Sequence, residues 1–427
     1  MRPSSLSSQR HLRGTVKPGM LDGIARKAVL GRLEQLSEDA LTVVDGDTVQ
    51  RFGSDRGEGL HAEITVHDAR FYTEVAFGGE IGAGEAWMHG YWECDDLVAL
   101  VRILLRNREV LDGMEGGLAR LTAPLQALFH RLNRNSRAGS RRNIAAHYDL
   151  GNDFFGLWLD ETMMYSSAMF AEPDMSLHAA QVHRLDQICR RLDLQPTDHV
   201  IEIGTGWGGF ALHAAQHYGC RVTTTTISRE QYVKARERVV AAGLEDRVTL
   251  LQDDFRDLGG QYDKLVSIEM IEAVGHHYLD DFFRSCSQLL KPDGMMLLQA
   301  ITIADQVYER HTRSVDFIKR YIFPGSCIPS IAAMTKSIAT ATDLRLFHLE
   351  DITPHYAKTL AGWRKQFFRN IDDVKGLGYS EAFIRMWDFY LSYCEAGFAE
   401  RYIGDVQMLF TKPMCRRESL IPNLAAP

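Results

Sequence analysis

The sequence predicts an α/β protein: a doubly wound, Rossmann-like sheet with a smaller α+β domain before it. Two observations lead to this prediction. From residue 180 onward, short apolar runs typical of buried strands alternate with segments of helical periodicity. Such alternation indicates βαβ units and a parallel sheet. Before residue 113, short amphipathic helices and strands of alternating polarity predict a separate α+β unit.

Composition narrows the class of protein. The chain has 427 residues, of which 45% are hydrophobic and 24% charged, as in an ordinary globular protein of more than one domain. A net charge of -8 argues against a general nucleic-acid binder. The cysteines are scattered without a CxxC spacing, which favours reduced thiols in a cytoplasm. Without a long apolar run or a secretory signal, we expect a protein of the cytoplasm or of a membrane surface.

The chain divides into four predicted segments. They are a flexible N-terminus (1–20), a small N-terminal domain (21–112), a basic linker (113–142) and the large C-terminal domain (143–427). Within the small domain, residues 62–77 read as a β-hairpin around Asp68 and Ala69, and residues 88–108 as a helix. The arginines of "RLNRNSRAGSRR" belong either to a solvated linker or to a contact with anionic lipid headgroups.

In the large domain, strand and helix predictions follow in turn. Strands are predicted within 199–209, 220–228, 247–258, 262–275, 294–303 and 405–413. Helices are predicted at 183–194, 210–219 and 229–243, with helical material at 331–400. This order predicts a ligand crevice at the carboxyl ends of the strands.

A glycine motif after the first of these strands is the most informative local signal. Gly204 and Gly206 let the backbone pass close to a ligand, and the string GTGWGG also fits a dinucleotide fingerprint. Trp207 stands where a pyrophosphate would need a clear helix N-terminus. Glu202, inside the strand, suits an ammonium better than a phosphate. Together they favour S-adenosylmethionine over NAD.

Polar residues at the next strand ends extend this crevice. Thr226 and Gln231 follow the second strand and are expected to hold a ribose. Gln252 and Asp253 follow the third and are expected near an adenine edge. Threonines within the second strand are explained equally well as simple β-formers.

Several longer stretches carry a resemblance to a known family. They are "NIAAHYDLGNDFFGLWLDETMMYSSAMF" (143–170), "VIEIGTGWGGFALHAA", "TTISREQ", "VSIEMIEAVG" (266–275), "YIFPGSCIPS" (321–330) and "YLSYCEAGF" (390–398). Over roughly 143–413 the chain resembles the cyclopropane-fatty-acyl-phospholipid synthase (mycolic acid cyclopropane synthase-like) family of S-adenosylmethionine-dependent methyltransferases. Residues 21–112 resemble, more weakly, the N-terminal domain of the longer bacterial members.

The resemblance implies a reaction and its setting. Family members transfer the sulfonium methyl to the double bond of an unsaturated acyl chain, usually in a membrane phospholipid. A bound bicarbonate then deprotonates the resulting carbocation. The resemblance further implies a methyltransferase domain at 143–427 and a lipid- or membrane-associated domain at 21–112. It also implies peripheral association with an anionic membrane surface on the cytoplasmic face and a possible homodimer.

The resemblance also assigns site residues. Tyr165 and Ser166 should hold the methionine end of the cofactor, together with Gly204 and Gly206. Glu272 matches the active-site glutamate and Tyr356 the tyrosine beside the reacting carbons. Cys394 lies in a family motif, where it either lines the pocket or is an inert thiol among aromatics. The adjacent His276 and His277 lack a third ligand, so no metal site is predicted.

The chain departs from the best-known members around the anion site. Ser167 stands where they carry Cys, Gln299 where many carry His, and Ala273 where His often follows the glutamate. Both Ser167 and Gln299 remain hydrogen-bond donors, so a small anion could still be bound. Glu269 is an extra acid three residues before Glu272; an exposed or core-edge acid is the alternative interpretation.

These departures leave the product open. Direct deprotonation gives a cyclopropane, whereas a prior hydride shift gives a methylene-branched chain. The alternative to cyclopropane formation is therefore a methylene- or methyl-branched fatty acid. A methyltransferase for a small soluble metabolite is disfavoured by the basic run and the aromatic C-terminal region. An inactive lipid-binding homologue is disfavoured by the retained Glu272 and Tyr356.

Overall fold

The computed structural model describes residues 19–54, 59–110, 113, 150–418 and 420. The arginines of the predicted basic linker and the first part of the 143–170 motif lie outside these ranges, as does the predicted flexible N-terminus up to residue 18.

The N-terminal part forms a four-stranded sheet of order β2-β1-β3-β4. Its strands are β1 (Ala40–Asp45), β2 (Thr48–Gly53), β3 (His61–Val66) and β4 (Trp92–Cys94). Its helices are α1 (Met20–Leu33), α2 (Arg70–Met88) and α3 (Leu97–Arg106). Strand β1 pairs antiparallel with β2 and parallel with β3, so the apolar faces of β1 and β3 bury together.

Two local predictions in this part are wrong. The hairpin at 62–77 is instead strand β3 followed by helix α2, because Phe71, Tyr72 and Val75 bury one helical face. The helix predicted over 88–108 begins only at Leu97, and the edge strand β4 precedes it. Asp96 caps α3 by accepting a hydrogen bond from the Ala99 amide at 2.9 Å.

The C-terminal part forms a seven-stranded sheet of order β10-β11-β9-β8-β5-β6-β7. Its strands are β5 (His199–Ile203), β6 (Arg221–Thr225), β7 (Val248–Leu251), β8 (Tyr262–Ile268), β9 (Leu290–Ile303), β10 (Arg345–Asp351) and β11 (Ile403–Thr411). Helices before and between the strands are α4 (Asn152–Gly156), α5 (Leu177–Leu192), α6 (Gly209–Tyr218), α7 (Arg229–Ala241), α8 (Leu279–Leu289), α9 (Asp305–Arg313) and α10 (Ile331–Ala341). Helices α11 (Thr353–Arg369), α12 (Ile371–Gly376) and α13 (Glu381–Ala399) stand between β10 and β11.

The predicted α/β fold with a smaller N-terminal α+β unit is confirmed, but the large sheet is mixed. Strands β5 to β9 pair in parallel, whereas β11 runs antiparallel to both β9 and β10. Strand β10 falls inside the stretch predicted to be helical. It is an edge strand with no fully buried residue, so its sequence carries little of the alternation that marks a half-buried strand.

One aromatic core joins the two parts of the chain. Buried residues of α1 to α3 belong to the same hydrophobic cluster as the fully buried Phe154, Trp158, Trp363 and Trp387. Across this contact, the Arg102 guanidinium donates to Glu400 at 2.6 Å. No helix within the described ranges is long and apolar enough to cross a membrane.

Candidate active site

A cavity of about 500 Å³ opens at the carboxyl ends of the parallel strands. The strand ends contribute Gly204 after β5, Thr226 after β6, Asp253 after β7 and Glu269 after β8. Because parallel strands end at one edge of the sheet, residues far apart in the sequence meet here. The N-terminal part adds Gly78 to Ile81, at the kink of α2, and Leu105.

The glycine loop forms one end of the cavity. Gly204 has a φ of 101° and Gly206 a φ of 52°, backbone conformations that favour glycine. A Cβ added at Gly206 would meet no atom within 4 Å and would project into open space. The Trp207 indole, predicted to stand at this turn, donates to the Asn152 side chain at 2.6 Å and also lines the cavity.

The polar residues after β6 and β7 divide into cavity and surface groups. Thr226 donates to the Gln231 amide oxygen at 2.9 Å, and both residues line the cavity, as does Asp253. Gln252, predicted beside them, is exposed and does not belong to the cavity wall. The next residues, Asp254 and Phe255, do line it. Sequence reasoning missed them because it stopped one residue short in the same loop.

Glu202 lies in the sheet rather than in the cavity wall. Its carboxylate accepts the Thr224 hydroxyl at 2.6 Å, and Thr224 in turn is within 2.7 Å of the Thr205 hydroxyl in the glycine loop. Burial raises the pKa of Glu202 to about 8. This geometry does not favour a direct contact between Glu202 and a bound ligand. Glu202 instead stabilises the glycine loop through Thr224 and Thr205.

Tyr165 and Ser166, from the segment before α5, also line the cavity. The Tyr165 hydroxyl is within 2.7 Å of the Tyr390 hydroxyl, and both rings line the cavity. The Ser166 hydroxyl is buried and has no hydrogen-bond partner within the part of the chain that the structure describes. A buried hydroxyl without a partner is costly unless a ligand or water supplies one.

Beyond the glycine loop the cavity becomes an aromatic chamber. The Tyr356 ring stacks on Phe398 with centroids 4.1 Å apart, and Phe323 and Tyr390 complete the wall. Cys394 also lines the chamber, and burial raises the pKa of its thiol. The protonated thiol is a wall group and not an activated nucleophile.

Glu269 is the centre of the polar cluster in this chamber. Its Oε1 accepts the Ser167 amide at 2.9 Å and the Gln299 side-chain amide at 2.7 Å. Its Oε2 accepts the Tyr356 hydroxyl at 2.6 Å. Its backbone has a φ of 48°, a conformation that is rare and strained for a residue with a side chain.

Ser167 and Gln299 therefore lie behind Glu269. Neither side chain lines the cavity, and the Ser167 hydroxyl donates to its neighbour's carbonyl at 3.1 Å. Gln299 is held from the other side by Gln407, which donates to its amide oxygen at 3.0 Å. The sequence signal for Glu269 was present, as an acid three residues before Glu272, but did not distinguish it from an exposed acid.

Two further carboxyl groups crowd the cluster. The Glu272 Oε1 accepts the Ile301 amide at 2.6 Å, while its Oε2 is buried without a partner among the described residues. Burial and the charge of Glu269 raise the pKa of Glu272 to about 8. Burial and the same charge raise the pKa of Asp405 well above its usual range. Both carboxyls consequently favour the protonated form near neutral pH.

A buried guanidinium balances the remaining negative charge. Arg184 is fully buried and donates to the Gln181 amide oxygen at 2.8 Å. Burial raises the pKa of Glu269 above its usual range, while the hydrogen bonds from Tyr356, Ser167 and Gln299 and the positive charge of Arg184 act in the opposite direction. Of these three carboxyl groups, Glu269 is the one whose ionised form receives three hydrogen bonds and the attraction of Arg184.

Outside the cavity, the described residues contain one group with potential metal ligands. Asp160, Glu161 and His178 bring their side-chain atoms close together at the surface, with His178 Nδ1 2.9 Å from an Asp160 oxygen. Asp160 also accepts a hydrogen bond from the Thr162 hydroxyl at 2.7 Å, so its carboxylate stabilises the turn that precedes residues 163–170.

Comparison with known proteins identifies the family. The family model of mycolic acid cyclopropane synthetase matches residues 135–408. The tuberculostearic acid methyltransferase UfaA1 of Mycobacterium tuberculosis is 40% identical over 339 residues, which cover 77% of this chain and 78% of the relative. The cyclopropane-fatty-acyl-phospholipid synthase of Escherichia coli K12 is 35% identical over 354 residues, which cover 82% of this chain and 88% of the relative.

A solved structure shows the same fold with a cofactor product. The mycolic acid cyclopropane synthase CmaA1, in complex with SAH and CTAB, is 31% identical and aligns with a TM-score of 0.59. The alignment covers 64% of this chain and 98% of that one. With the family match, the two relatives and the strand-end cavity in agreement, this chain belongs to the mycolic acid cyclopropane synthetase family of S-adenosylmethionine-dependent fatty acid and lipid methyltransferases.

Proposed function

We propose that this enzyme transfers the methyl group of S-adenosylmethionine to the double bond of an unsaturated acyl chain in a membrane phospholipid, forming a cyclopropane fatty acid. The observation that carries the proposal is the continuity of one cavity, from the glycine loop to the aromatic chamber around Tyr356 and Glu269. An alkene is a poor nucleophile, so the methyl group, the double bond and a base must meet in one enclosure.

The glycine-loop end fits the cofactor. Open space above Gly206 can take the cofactor's tail, and the unpartnered Ser166 hydroxyl can bond its amino-acid end. Thr226 and Gln231 are proposed to hold the ribose, and Asp253 to lie near the adenine with Phe255. The sulfonium of the bound cofactor supplies an electrophilic methyl group. The residues of the loop orient that group toward the chamber.

The chamber fits the reaction that follows. Methylation leaves a positive charge on carbon, which the ring faces of Tyr356, Tyr390 and Phe323 can stabilise by cation–π attraction. An oxyanion beside Tyr356 must then accept a proton. It is either the bicarbonate that the resemblance implies, held near Glu272 and Tyr356, or a carboxylate of the chain itself. Cys394 is assigned only to the wall.

A specific observation favours a second product. The relative with 40% identity is named a tuberculostearic acid methyltransferase, which points to a branched acid. If a hydride shifts along the chain before deprotonation, the product is a methylene-branched acyl chain. Conversion of that group to a methyl branch needs a hydride donor, which we assign to a separate reductase. The cyclopropane is the first candidate because it requires no shift.

Product analysis tests the proposal. The protein is incubated with S-adenosylmethionine and liposomes of a monounsaturated phospholipid, and the acyl chains are examined by proton NMR. We expect high-field cyclopropane protons, while exomethylene protons would establish the second product. The two are isomers, so mass alone does not separate them. Absence of any methylated acyl chain, with cofactor binding intact, would contradict the proposal and favour a lipid-binding protein.

We also propose that the enzyme acts peripherally at the cytoplasmic face of an anionic membrane. The first residues of α1 are apolar and exposed, with Met20 88%, Leu21 65% and Ile24 54% accessible. An exposed apolar helix face next to a positively charged one is typical of interfacial binding. The arginines of the linker add headgroup attraction, each worth about 1 kcal/mol near such a surface.

Vesicle sedimentation tests this placement. We expect binding to vesicles rich in phosphatidylglycerol, weakened by salt, and little binding to phosphatidylcholine. Leu21→Ser combined with Ile24→Ser should reduce binding with unchanged thermal stability, because both side chains are exposed. Equal binding to both lipids would contradict the anionic preference. Sedimentation equilibrium in the absence of lipid measures whether the chain forms the predicted homodimer.

A further inference from the structure

We propose that the Glu269 carboxylate is itself the proton acceptor of the reaction, so that this enzyme works without bound bicarbonate. The inference rests on the proposed methyl transfer and names the base for it. Ser167, Gln299 and Tyr356, the residues expected to surround a small anion, all donate hydrogen bonds to the Glu269 carboxylate.

The donors around Glu269 form a complete anion site. A backbone amide from Ser167, a primary amide from Gln299 and a phenol from Tyr356 all donate to its two oxygens, at 2.9, 2.7 and 2.6 Å. Hydrogen bonds to an ionised carboxylate are stronger than those between neutral groups. A bicarbonate in this place would have to displace the carboxylate or lie against it, and two like charges in a desolvated site repel strongly.

The geometry also leaves a place for the proton. Oε1 accepts two donors, whereas Oε2 accepts the Tyr356 hydroxyl and retains a further lone pair. Glu269 lines the cavity, so its carboxylate can meet a substrate that enters the chamber. Tyr356, bonded to the same oxygen, is stacked on Phe398 in the aromatic wall.

The proposed step balances. A C–H bond of the transferred methyl breaks, and its electron pair closes the bond to the cationic carbon, giving the ring. After a hydride shift the same pair forms the exomethylene bond instead. In both cases the proton moves to Glu269 Oε2, and no oxidant or reductant is consumed. Arg184 offsets the negative charge of Glu269 before the step.

The backbone of Glu269 points to selection for this side chain. Its φ of 48° would suit glycine, and its amide is fixed to the Gln299 carbonyl at 2.8 Å directly after β8. A strained residue is retained where its side chain is needed. Asp405 and Glu272 are alternatives within the cluster, but Asp405 is fully buried behind Gln299, and the Glu272 carboxylate accepts from backbone amides alone.

A pair of variants tests the proposal. Wild-type turnover should be the same in bicarbonate-free buffer and with millimolar bicarbonate. Glu269→Gln should lose about 1,000-fold in kcat, within the usual contribution of a general base, and added bicarbonate should not restore it because the amide fills the site. Glu269→Gly, which suits the backbone, should lose a similar amount and recover at least about 10-fold with bicarbonate or formate.

A binding measurement separates this inference from the proposed methyl transfer. With ¹³C-labelled bicarbonate, NMR should show binding to Glu269→Gly and none to the wild type, whether or not an active substrate has been found. Calorimetry with S-adenosylhomocysteine should give unchanged affinity for both variants, which shows that they fold. Bicarbonate binding to the wild type, bicarbonate-dependent wild-type turnover, or an active Glu269→Gln would each overturn the proposal. If methylated lipid never forms, only the methyl transfer fails.

Discussion

The two ends of the cavity are built in different ways. At the glycine-loop end, each lining residue follows its own strand, and hydrogen bonds such as Thr226 to Gln231 join close neighbours in the sequence. At the carboxylate end, Ser167, Glu269, Gln299 and Tyr356 come from four separate segments and meet at one side chain. The first end is a local motif and the second a tertiary assembly.

This difference predicts that the two ends can be altered independently. The cofactor end must meet one fixed molecule, so its glycines and strand-end polar groups leave little freedom. The carboxylate end depends on side chains that can be exchanged one at a time. Exchange of Gln299, whose side-chain amide donates to Glu269, is therefore expected to alter the surroundings of this carboxylate without disturbing the cofactor loop. The predictions below test whether the two ends can be damaged separately.

The largest loss of cofactor affinity is expected at the cofactor end. Gly206→Leu places a side chain in the open space above the loop, so affinity for S-adenosylhomocysteine should fall at least about 100-fold by calorimetry, or about 2.7 kcal/mol. Gly243→Leu is the matched control, because Gly243 also has a positive φ, of 64°, and open space around it, but is exposed outside the cavity. Equal losses in both variants would attribute the effect to backbone strain alone.

A smaller effect is expected from Tyr356→Phe at the carboxylate end. It removes one donor to an ionised group, worth about 1.5–3 kcal/mol, so kcat should fall about 10- to 100-fold with cofactor affinity unchanged. Because that hydrogen bond lowers the pKa of Glu269, its loss raises the pKa, and the acid limb of the pH–rate profile should move to higher pH. An unchanged acid limb of the pH–rate profile would show that Tyr356 does not act on the pKa of the base.

The separation of the two ends also explains what the sequence could predict. The fold class follows from alternating strands and helices, and the glycine loop from a contiguous motif. Glu269 could not be assigned, because its role depends on donors 30 to 102 residues away from it, among them Ser167, whose backbone and not its hydroxyl is used. Gln252 was expected in the cavity, but the loop after β7 turns Asp254 and Phe255 inward instead.

The fold errors have equally local causes. In the stretch after β3, apolar residues occur at spacings that suit both a strand and a helix, and packing against the N-terminal sheet selects the helix α2. Strand β10 is recruited at the sheet edge by β11, with which it pairs antiparallel. Because the partner strand β11 lies more than 50 residues later in the chain, the local sequence of β10 does not predict this pairing.

A separate prediction concerns the pH dependence of folding stability at Glu202, beneath the glycine loop. The buried Glu202 has a pKa raised from 4.5 to about 8, so the folded state keeps a proton that the unfolded state releases. Its contribution to stability is therefore present below pH 4.5 and lost as the pH rises toward 8. Between these pH values, the wild-type free energy of unfolding should fall with rising pH. In Glu202→Gln the slope of this fall should be smaller by about 1.4 kcal/mol per pH unit.

Urea unfolding without cofactor, at several pH values, measures this slope. Glu245→Gln, at an exposed position after α7, is the control and should leave the slope unchanged. An unaltered slope in Glu202→Gln would show that Glu202 is ionised in the folded protein. The sequence-based prediction of a direct contact with a cationic ligand would then be favoured again.

The most direct test of the central claim uses a cofactor with a trideuterated methyl group. In a single turnover on a monounsaturated phospholipid, the wild type should transfer the methyl group with loss of one deuteron, in bicarbonate-free buffer. Both a cyclopropane and a methylene product require that loss, because the base takes its proton from the methyl carbon. Glu269→Gln should form no such product while binding the cofactor normally. Transfer with all deuterons retained, or full activity of the variant, would contradict an account in which the cavity joins methyl transfer to deprotonation by Glu269.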